Sequence, residues 1–493
     1  MDVALADLVT SVSSGYAGAL SSTGVTTAAP PGLTVAGPPG LTFAEAATPA
    51  DFGAARIQMA LSLGWHIIVA CFGVAMPAFT LFAEWRGHRT GEVAYRLLAR
   101  RWARAMGVLF AVGAVSGTIL SFEMGILWPG LMGTFGEVIG LPFTLEGFAF
   151  FIEAIFLGIY LYGWDKLSPR AHLLSAVPVL LAGVAGTFFV VSANAWMNQP
   201  KGFDLESGEV VGVDPWGAMF NPATGPQSVH MLVAAFMVAG FLTASVYAVG
   251  MLRGRRDRYH QLGFLIPFTV AAALSPVQVV VGDWAATFVA EYQPVKLAAM
   301  EGVYDTERGV PLHVGGVVVD GEMRYAVEIP NGLSLLAFHH PDAEIKGLND
   351  VPATDHPPVN VVHLSFQLMV AAGFAMLGVA AWYGFAAWRR RGPPSLGPWF
   401  LRAAALCGPA AVVALEAGWT TTEVGRQPWV VYGVMRTADA VNPAPGLTVG
   451  LAVVVAVYTA LTVATVYVLR RLAADQPAPV APQEADVETF PVP

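Results

Sequence analysis

The segment Phe-Thr-Leu-Glu-Gly-Phe-Ala-Phe-Phe-Ile-Glu-Ala-Ile-Phe-Leu-Gly-Ile-Tyr-Leu-Tyr-Gly-Trp, residues 143–164, decides the fold class. As a helix it is long enough to cross the apolar core of a bilayer, which is about 30 Å thick. It nevertheless contains Glu146 and Glu153, which are seven residues apart and therefore share one helix face. Because an ionisable side chain inside a bilayer is costly, it usually has a function. The segment predicts a membrane helix with a functional polar face.

Eight further apolar stretches are also long enough to cross a bilayer. The composition is 55% hydrophobic and only 12% charged, which is typical of an integral membrane protein. The sequence therefore predicts an all-α membrane bundle of nine transmembrane helices. The predicted spans are 57–83, 103–122, 143–164, 172–192, 227–252, 262–282, 360–388, 399–419 and 446–469.

The distribution of arginine predicts the orientation. Most Lys and Arg residues fall in alternate connections, which the positive-inside rule places in the cytoplasm. The N-terminus is then periplasmic and the C-terminus cytoplasmic. We expect a disordered N-terminal extension at 1–54, a membrane domain at 55–472 and a disordered cytoplasmic tail at 473–493, because both ends are rich in Ala, Pro and polar residues.

One long connection, residues 283–359, lies on the periplasmic side of this topology. Its Val317-to-Val319 and Tyr325-to-Ile329 stretches suit short strands. Gln293, Lys296 and Glu301 follow the sixth span closely. From their spacing alone, a solvated stem and a substrate site are equally supported.

Five potential metal ligands lie inside the predicted spans: His66, Glu146, His230, Met369 and Glu416. By the predicted boundaries all five occupy the outer leaflet, with Glu146 and His230 in the first turn of their helices. A single such residue would be explained by packing, whereas five at one level favour a cofactor. Histidine and methionine are usual haem-iron ligands. Glu153 lies deeper, and two stacked carboxylates suggest a proton relay; a neutral, hydrogen-bonded Glu153 is the alternative.

Several short motifs also carry a family resemblance. The chain resembles subunit I of the cytochrome bd-type quinol oxidases from about Arg56 to Arg471. The matching segments are Leu-Gly-Trp-His (63–66), Leu-Glu-Gly-Phe-Ala-Phe-Phe-Ile-Glu (145–153), Gly-Trp-Asp (163–165), Ala-Asn-Ala-Trp-Met (193–197), Gln-Ser-Val-His (227–230), Lys-Leu-Ala-Ala-Met-Glu (296–301), Phe-Gln-Leu-Met-Val (366–370) and Glu-Ala-Gly-Trp (416–419) with Gly-Arg-Gln-Pro-Trp (425–429).

The resemblance implies roles for individual residues. His230 and Met369 match the axial ligands of a low-spin haem b. His66 matches the axial histidine of one high-spin haem, and Glu146 matches the carboxylate on the other side of that haem. Glu416 matches the ligand of the second high-spin haem. The roles implied for the remaining residues are quinol binding by Gln293, Lys296 and Glu301, proton conduction by Glu153, and contact with a haem propionate by Arg426.

Two departures from the common family pattern point to its cyanide-insensitive branch. Where many members have Glu-Phe-Gln-Phe-Gly-Thr-Asn-Trp, this chain has Ser-Phe-Glu-Met-Gly-Ile-Leu-Trp at 121–128. The loop after Glu301 also lacks a long insertion. The cofactors expected are therefore a low-spin haem b, a high-spin haem b, and either haem d or a further haem b.

The implied function is electron transport in aerobic respiration, in the bacterial inner membrane. Quinol would be oxidised at the periplasmic side, and oxygen would be reduced to water with protons from the cytoplasm. The expected partners are quinol, oxygen, membrane lipid, a subunit II and a small single-span subunit, with no nucleic acid. A solute-coupled transporter and a haem-binding module without oxidase activity are the two alternatives. The first is disfavoured because the sequence has no clear internal repeat.

Overall fold

The architecture is a bundle of long helices, seen in a computed structural model that describes residues 49–391 and 396–474. Within these ranges nine helices are long and apolar enough to cross a membrane, which confirms the predicted fold class. They are α1 (Pro49–Thr90), α2 (Val93–Leu127), α3 (Pro129–Tyr162), α4 (Pro169–Asn198), α6 (Thr224–Leu252), α7 (Arg258–Tyr292), α10 (Val359–Arg390), α11 (Pro398–Val424) and α13 (Leu447–Ala474).

Three predicted boundaries are wrong. The long loop predicted to begin at residue 283 begins after Tyr292, because helix α7 continues to that residue. Helix α1 begins at Pro49, so residues 49–54, which the sequence assigned to a disordered extension, are helical. The rest of that extension, and the predicted tail after Ala474, lie outside the described residues. Helix α3 begins at Pro129 instead of residue 143, because its first turns bury apolar side chains such as Leu131 and Phe135. Glu146 therefore lies in the middle of α3 and not in its first turn.

Helix α1 is at the centre of the bundle. It packs against α2, α4, α6, α11 and α13. In the most apolar 18 residues of each spanning helix, 56% are buried in α1, compared with 6% in α13 and 11% in the segment that includes α10. One apolar core joins α1 to α6, α7 and α11 around Phe241, Phe268 and Leu401, and another joins α1 to α2, α3 and α4 around Phe79 and Trp102. Most of the helices that could carry a site thus pack on α1, and α10 is joined to this group through α7 and α11.

The bundle has two different ends, which we name by their composition. The arginine face carries the connections 91–92, 163–168 and 253–257 together with the end of α10 and the start of α11, and the loop face carries 199–223, 293–358 and 425–446. At the arginine face the buried carboxylate of Glu84 accepts a hydrogen bond from Tyr160 (2.6 Å) and pairs with His172 Nδ1 (2.6 Å). This contact joins α1, α3 and α4.

The loop face is built from short elements. They are β1 (Asp204–Glu206), β2 (Glu209–Val211), α5 (Pro215–Met219), α8 (Pro294–Glu301), β3 (Glu307–Arg308), β4 (Leu312–Val314), β5 (Val317–Val319), β6 (Glu322–Arg324), β7 (Val327–Ile329), α9 (Gly332–Phe338), β8 (Glu344–Ile345), β9 (Trp429–Val431), β10 (Met435–Arg436) and α12 (Thr437–Ala440).

These strands form two-stranded antiparallel sheets, pairing β1 with β2, β3 with β8, β4 with β7, β5 with β6 and β9 with β10. The strands expected near 317–319 and 325–329 are confirmed as β5 and β7. Asn360 of α10 binds both the N–H and the carbonyl of Val318, at 2.8 and 2.9 Å. The long loop is therefore fixed to the membrane helices.

Candidate functional site

The orientation of His66 on α1 follows from its contact with Ser116 on α2. Ser116 donates its single hydroxyl proton to the carbonyl of Gly113 at 3.0 Å. The same hydroxyl lies 2.8 Å from His66 Nδ1, so it must accept the Nδ1 proton there. The other ring nitrogen, Nε2, then carries a lone pair. This is the arrangement of a histidine prepared to bind a metal through Nε2, with its other nitrogen held by a polar neighbour.

Three of the candidate ligands face a glycine on a neighbouring helix. A methyl group added at Gly117 would lie 3.2 Å from His66 Cε1, and one at Gly418 would lie 2.9 Å from Met369 Sδ. One added at Gly64, two residues before His66, would lie 2.8 Å from Glu416 Oε2. Any larger side chain at these positions would displace the candidate ligand.

His230 and Met369 lie on helices that belong to one four-helix group. Helices α6 and α10, which carry them, both pack against α7 and α11. Side chains on facing helices of such a group are the usual way to hold a cofactor in its core. His230 Nδ1 is buried and has no hydrogen-bond partner among the described residues. A nearby glycine, Gly282 on α7, leaves room beside the imidazole ring.

Glu146 and Glu153 lie on the same face of α3, as their spacing predicts. Methyl groups added at Gly73 of α1 and Gly183 of α4 would each lie 3.7 Å from Glu153 Oε1. Glu153 therefore lies where α3 meets two other helices, and it is nearer the arginine face than Glu146. Both carboxylates are half-buried.

Three of the sequence motifs meet in one buried network at the loop face. Asn198, at the end of α4, accepts hydrogen bonds on Oδ1 from Lys296 Nζ (2.8 Å) and Gln293 Nε2 (3.1 Å). Its own amide donates to the carbonyl of Asn194 at 3.0 Å. Asn194 in turn donates to Glu423 Oε1 at 2.6 Å, and Arg426 donates to Glu423 Oε2. The network thus joins α4, α8 and α11.

Arg426 has hydrogen-bonding capacity that the network does not use. It is 3% exposed, and its Nε and Nη1 atoms have no partner among the described residues. A buried guanidinium with free donors is suited to an anion such as a carboxylate.

The three predicted quinol residues lie on or beside α8 and are fully buried. Gln293, Lys296 and Glu301 are 0%, 3% and 1% exposed, which excludes the solvated stem considered from their spacing. Burial lowers the pKa of Lys296 to about 7, an effect that the charge of Arg426 reinforces and that of Glu423 opposes. Burial raises the pKa of Glu301 to about 8. Both groups therefore change charge near neutral pH.

The donor set fits a haem. It comprises an imidazole with a free Nε2 (His66), a second imidazole with an unpartnered nitrogen (His230), a thioether (Met369) and a carboxylate with an unpartnered buried oxygen, Glu416 Oε1. Arg426 supplies free donors of the kind that a propionate needs. The glycines opposite His66, Met369 and Glu416 leave these side chains room beside the neighbouring helices.

Comparison with known proteins gives the family. The family model for cytochrome bd terminal oxidase subunit I matches residues 54–477. The chain belongs to this family. It is therefore a multi-span subunit of a haem-containing terminal oxidase, and the resemblance inferred from the motifs is confirmed.

Individual relatives agree with this assignment. The chain is 35% identical to a putative cytochrome bd menaquinol oxidase subunit I of Bacillus subtilis, over 85% of this chain and 96% of the relative. It is 27% identical to the cytochrome bd-II ubiquinol oxidase subunit 1 of Escherichia coli, over 85% and 95%. The solved bd oxidase of Geobacillus thermodenitrificans superposes with a TM-score of 0.81 at 40% identity, covering 87% of this chain and 99% of that one.

Sequence reasoning missed four residues that this site uses: Ser116, Asn194, Asn198 and Glu423. Asn194 lies inside the quoted Ala-Asn-Ala-Trp-Met segment, and Glu423 precedes Arg426 by three residues, one helical turn. That spacing between a carboxylate and an arginine was a usable signal. Ser116 and Asn198 gave none, because single polar residues in or at the end of a helix are common.

Gly418→Ala tests whether Met369 is placed to bind iron. The new methyl group would lie 2.9 Å from Met369 Sδ, so the sulfur must move. We expect the reduced-minus-oxidised spectrum to lose low-spin signal and the remaining low-spin haem to have a lower reduction potential, because thioether ligation raises it. The matched control is Gly373→Ala on α10, where nothing lies within 4 Å. Equal spectra for both variants would contradict the placement.

Proposed function

We propose that this chain is the haem-binding subunit of a quinol:oxygen oxidoreductase that oxidises quinol at the periplasmic side and reduces oxygen to water. The observation that carries the proposal is the buried network in which Lys296 and Gln293 meet Arg426 through Asn198, Asn194 and Glu423. It connects the predicted quinol residues with the predicted propionate-binding residue. The names of the relatives, menaquinol and ubiquinol oxidases, support quinol as the substrate class.

His230 and Met369 would bind the iron of a low-spin haem b, and His66 with Glu146 would flank a high-spin haem. A carboxylate of α11 would bind the other high-spin haem, and Arg426 would pair with a propionate. The expected set is two b-type haems and either haem d or a third haem b. When bound, these haems transfer single electrons and provide the iron at which oxygen is reduced.

The residues of α8 would handle the quinol protons. Oε2 of Glu301 is buried and has no partner among the described residues, so it is available to a quinol hydroxyl. As a carboxylate it would accept the proton that the hydroxyl loses on oxidation. Lys296, with a pKa of about 7, can donate a hydrogen bond to a quinone oxygen in either protonation state. Gln293 would fix the position of Lys296, because both bind the same oxygen of Asn198.

Protons for oxygen reduction would travel in the opposite direction, from the arginine face. The positive-inside rule places that face in the cytoplasm and the loop face in the periplasm, with the N-terminus outside and the C-terminus inside. Glu153 is nearer the arginine face than Glu146, and it lies where α1, α3 and α4 meet. It would therefore receive a proton first and pass it to Glu146, which with His66 would hold the high-spin haem.

Subunit II and a small single-span subunit are the proposed protein partners. Helices α10 and α13 are the least buried of the spanning helices, so lipid or another subunit must cover them. The proposed location is the bacterial inner membrane.

The purified protein with its partner subunits tests the proposed activity. We expect haem bands in the reduced-minus-oxidised spectrum and oxygen uptake when quinol is added. A preparation that folds without haem would favour the transporter. Haem without quinol-dependent oxygen uptake would favour the haem-binding module.

Glu301→Gln tests the role of the loop carboxylate. Only the ionised form accepts a proton, so the rate of quinol oxidation in the wild type should rise as the pH passes through about 8. In Glu301→Gln this rise should disappear, while the haem spectrum stays the same. Glu307→Gln is the control, since Glu307 is exposed on the adjacent strand β3. A rise that persists in Glu301→Gln would exclude Glu301 as the base.

A comparison of Glu416→Gln with Glu423→Gln tests the carboxylate ligand on α11. The two residues are seven apart and share a helix face. Glu416 has an unpartnered oxygen, as a ligand requires, whereas both oxygens of Glu423 are hydrogen-bonded to Asn194 and Arg426. We expect Glu416→Gln to remove one high-spin haem signal and Glu423→Gln to retain it. The opposite result would transfer the ligand role to Glu423.

A further inference from the structure

We propose that Glu123 on α2 binds one proton when the haem held by His66 is reduced, and releases it on reoxidation. This inference rests on the proposed function, because it takes His66 as an iron ligand. Glu123 has no part in the ligand set, the quinol site or the Glu146–Glu153 pair. By taking up a proton, Glu123 would compensate the charge of the electron added to the haem. It would not touch the reacting atoms.

Glu123 is a buried carboxylate at the junction of three membrane helices. It is 4% exposed, and its Oε1 accepts hydrogen bonds from Gln58 Nε2 (3.1 Å) and Ser62 Oγ (2.9 Å), both on α1. Helix α13 covers the junction with Tyr458, whose ring centroid lies 5.1 Å from that of Trp65. Tyr458 is 2% exposed.

The hydrogen bonding of this junction is incomplete among the described residues. Oε2 of Glu123, Oε1 of Gln58 and the hydroxyl of Tyr458 are all buried and have no partner there. The junction thus has two free acceptors and one free donor, which can bind a proton or a bridging water. An oxygen that accepts no hydrogen bond is also the one on which a carboxylic acid would carry its proton.

Among the described residues, no cation on the packed helices forms an ion pair with Glu123. The titratable groups of α1 nearest to it in sequence position are Asp51, which binds the N–H of Gly446 near the loop face, Arg56, which is exposed and lies over the Phe52 ring, and His66, with its Nδ1 on Ser116. On α13 there is Tyr458, and on α3 there are Glu137, which is exposed, and Glu146. Helix α7 meets α2 through Arg101 and Tyr259, far along α2 towards the arginine face.

Two hydrogen-bonded pairs of polar residues lie one helical turn apart between α1 and α2, one containing Glu123 and the other His66. Gln58, Ser62 and His66 are spaced at i, i+4 and i+8, so they lie on one face of α1. Ser116 and Glu123 are seven apart and share the facing side of α2. Ser62 binds Glu123, and one turn further along α1, roughly 6 Å, His66 binds Ser116.

This proximity couples the charge of Glu123 to that of the haem. In an apolar interior, charges separated by two helical turns still interact appreciably. Reduction adds one electron at the iron, and the carboxylate of Glu123 takes one proton from solvent to become a carboxylic acid. The net charge of the region then stays constant. On reoxidation the electron leaves and the O–H bond of Glu123 breaks, returning the proton to solvent.

Glutamine is a suitable replacement at this position. Its side chain has nearly the same size and shape as that of glutamate, so Glu123→Gln changes the chemistry of the group with little change in packing. The amide oxygen can still accept from Gln58 and Ser62, but the side chain can no longer bind a proton.

The test is a redox titration of the high-spin haems at several pH values, in the complete oxidase. In the wild type we expect one high-spin reduction potential to fall as the pH rises. In Glu123→Gln that dependence should flatten, and a carboxylic-acid C=O band should vanish from the reduced-minus-oxidised infrared spectrum. Glu84→Gln, which changes a buried carboxylate at the opposite end of the bundle, should keep both features.

Two results would overturn the proposal, and they are distinguishable. If Glu123→Gln keeps the pH dependence and the infrared band while His66→Ala loses a high-spin signal, Glu123 is only structural and the ligand assignment stands. If His66→Ala retains both high-spin signals, the ligand assignment and the proposal fail together.

Discussion

The structure depends on the high cost of placing an unpaired polar group inside a membrane bundle. At the arginine face the buried carboxylate of Glu84 is paired within the chain, with His172 and Tyr160. At the loop face several buried groups that could bind a metal or an anion have no such partner. His230 Nδ1, Glu416 Oε1 and two nitrogens of Arg426 are buried without partners among the described residues. In the proposed function, haem iron and haem propionates would supply the interactions that these atoms lack.

Close helix packing controls where these groups point. Gly117, Gly418 and Gly64 each face a candidate ligand on an adjacent helix. Because these glycines have no side chain, His66, Met369 and Glu416 can occupy the space opposite them. Ser116 adds a hydrogen bond that sets the tautomer of His66. The site is thus prepared by neighbours that bind no iron themselves.

Much of the fold could be predicted from the sequence, because membrane spans are long apolar segments and need no knowledge of tertiary contacts. The start of α3 could not, since residues 129–142 contain several glycines and Pro142 and are stabilised by packing against the loop face. The family motifs identified the candidate residues. The network that joins Lys296 to Arg426 was not predictable, because it requires Asn198 and Glu423 to arrive from two other helices.

The most direct test of the account is the haem content and low-spin spectrum of His230→Ala, measured on the purified oxidase against the wild type. The account predicts the loss of the low-spin haem b signal with both high-spin signals retained, because His66 and the carboxylates lie on other helices. An unchanged low-spin signal in this variant would contradict the assignment of the haem site to α6 and α10.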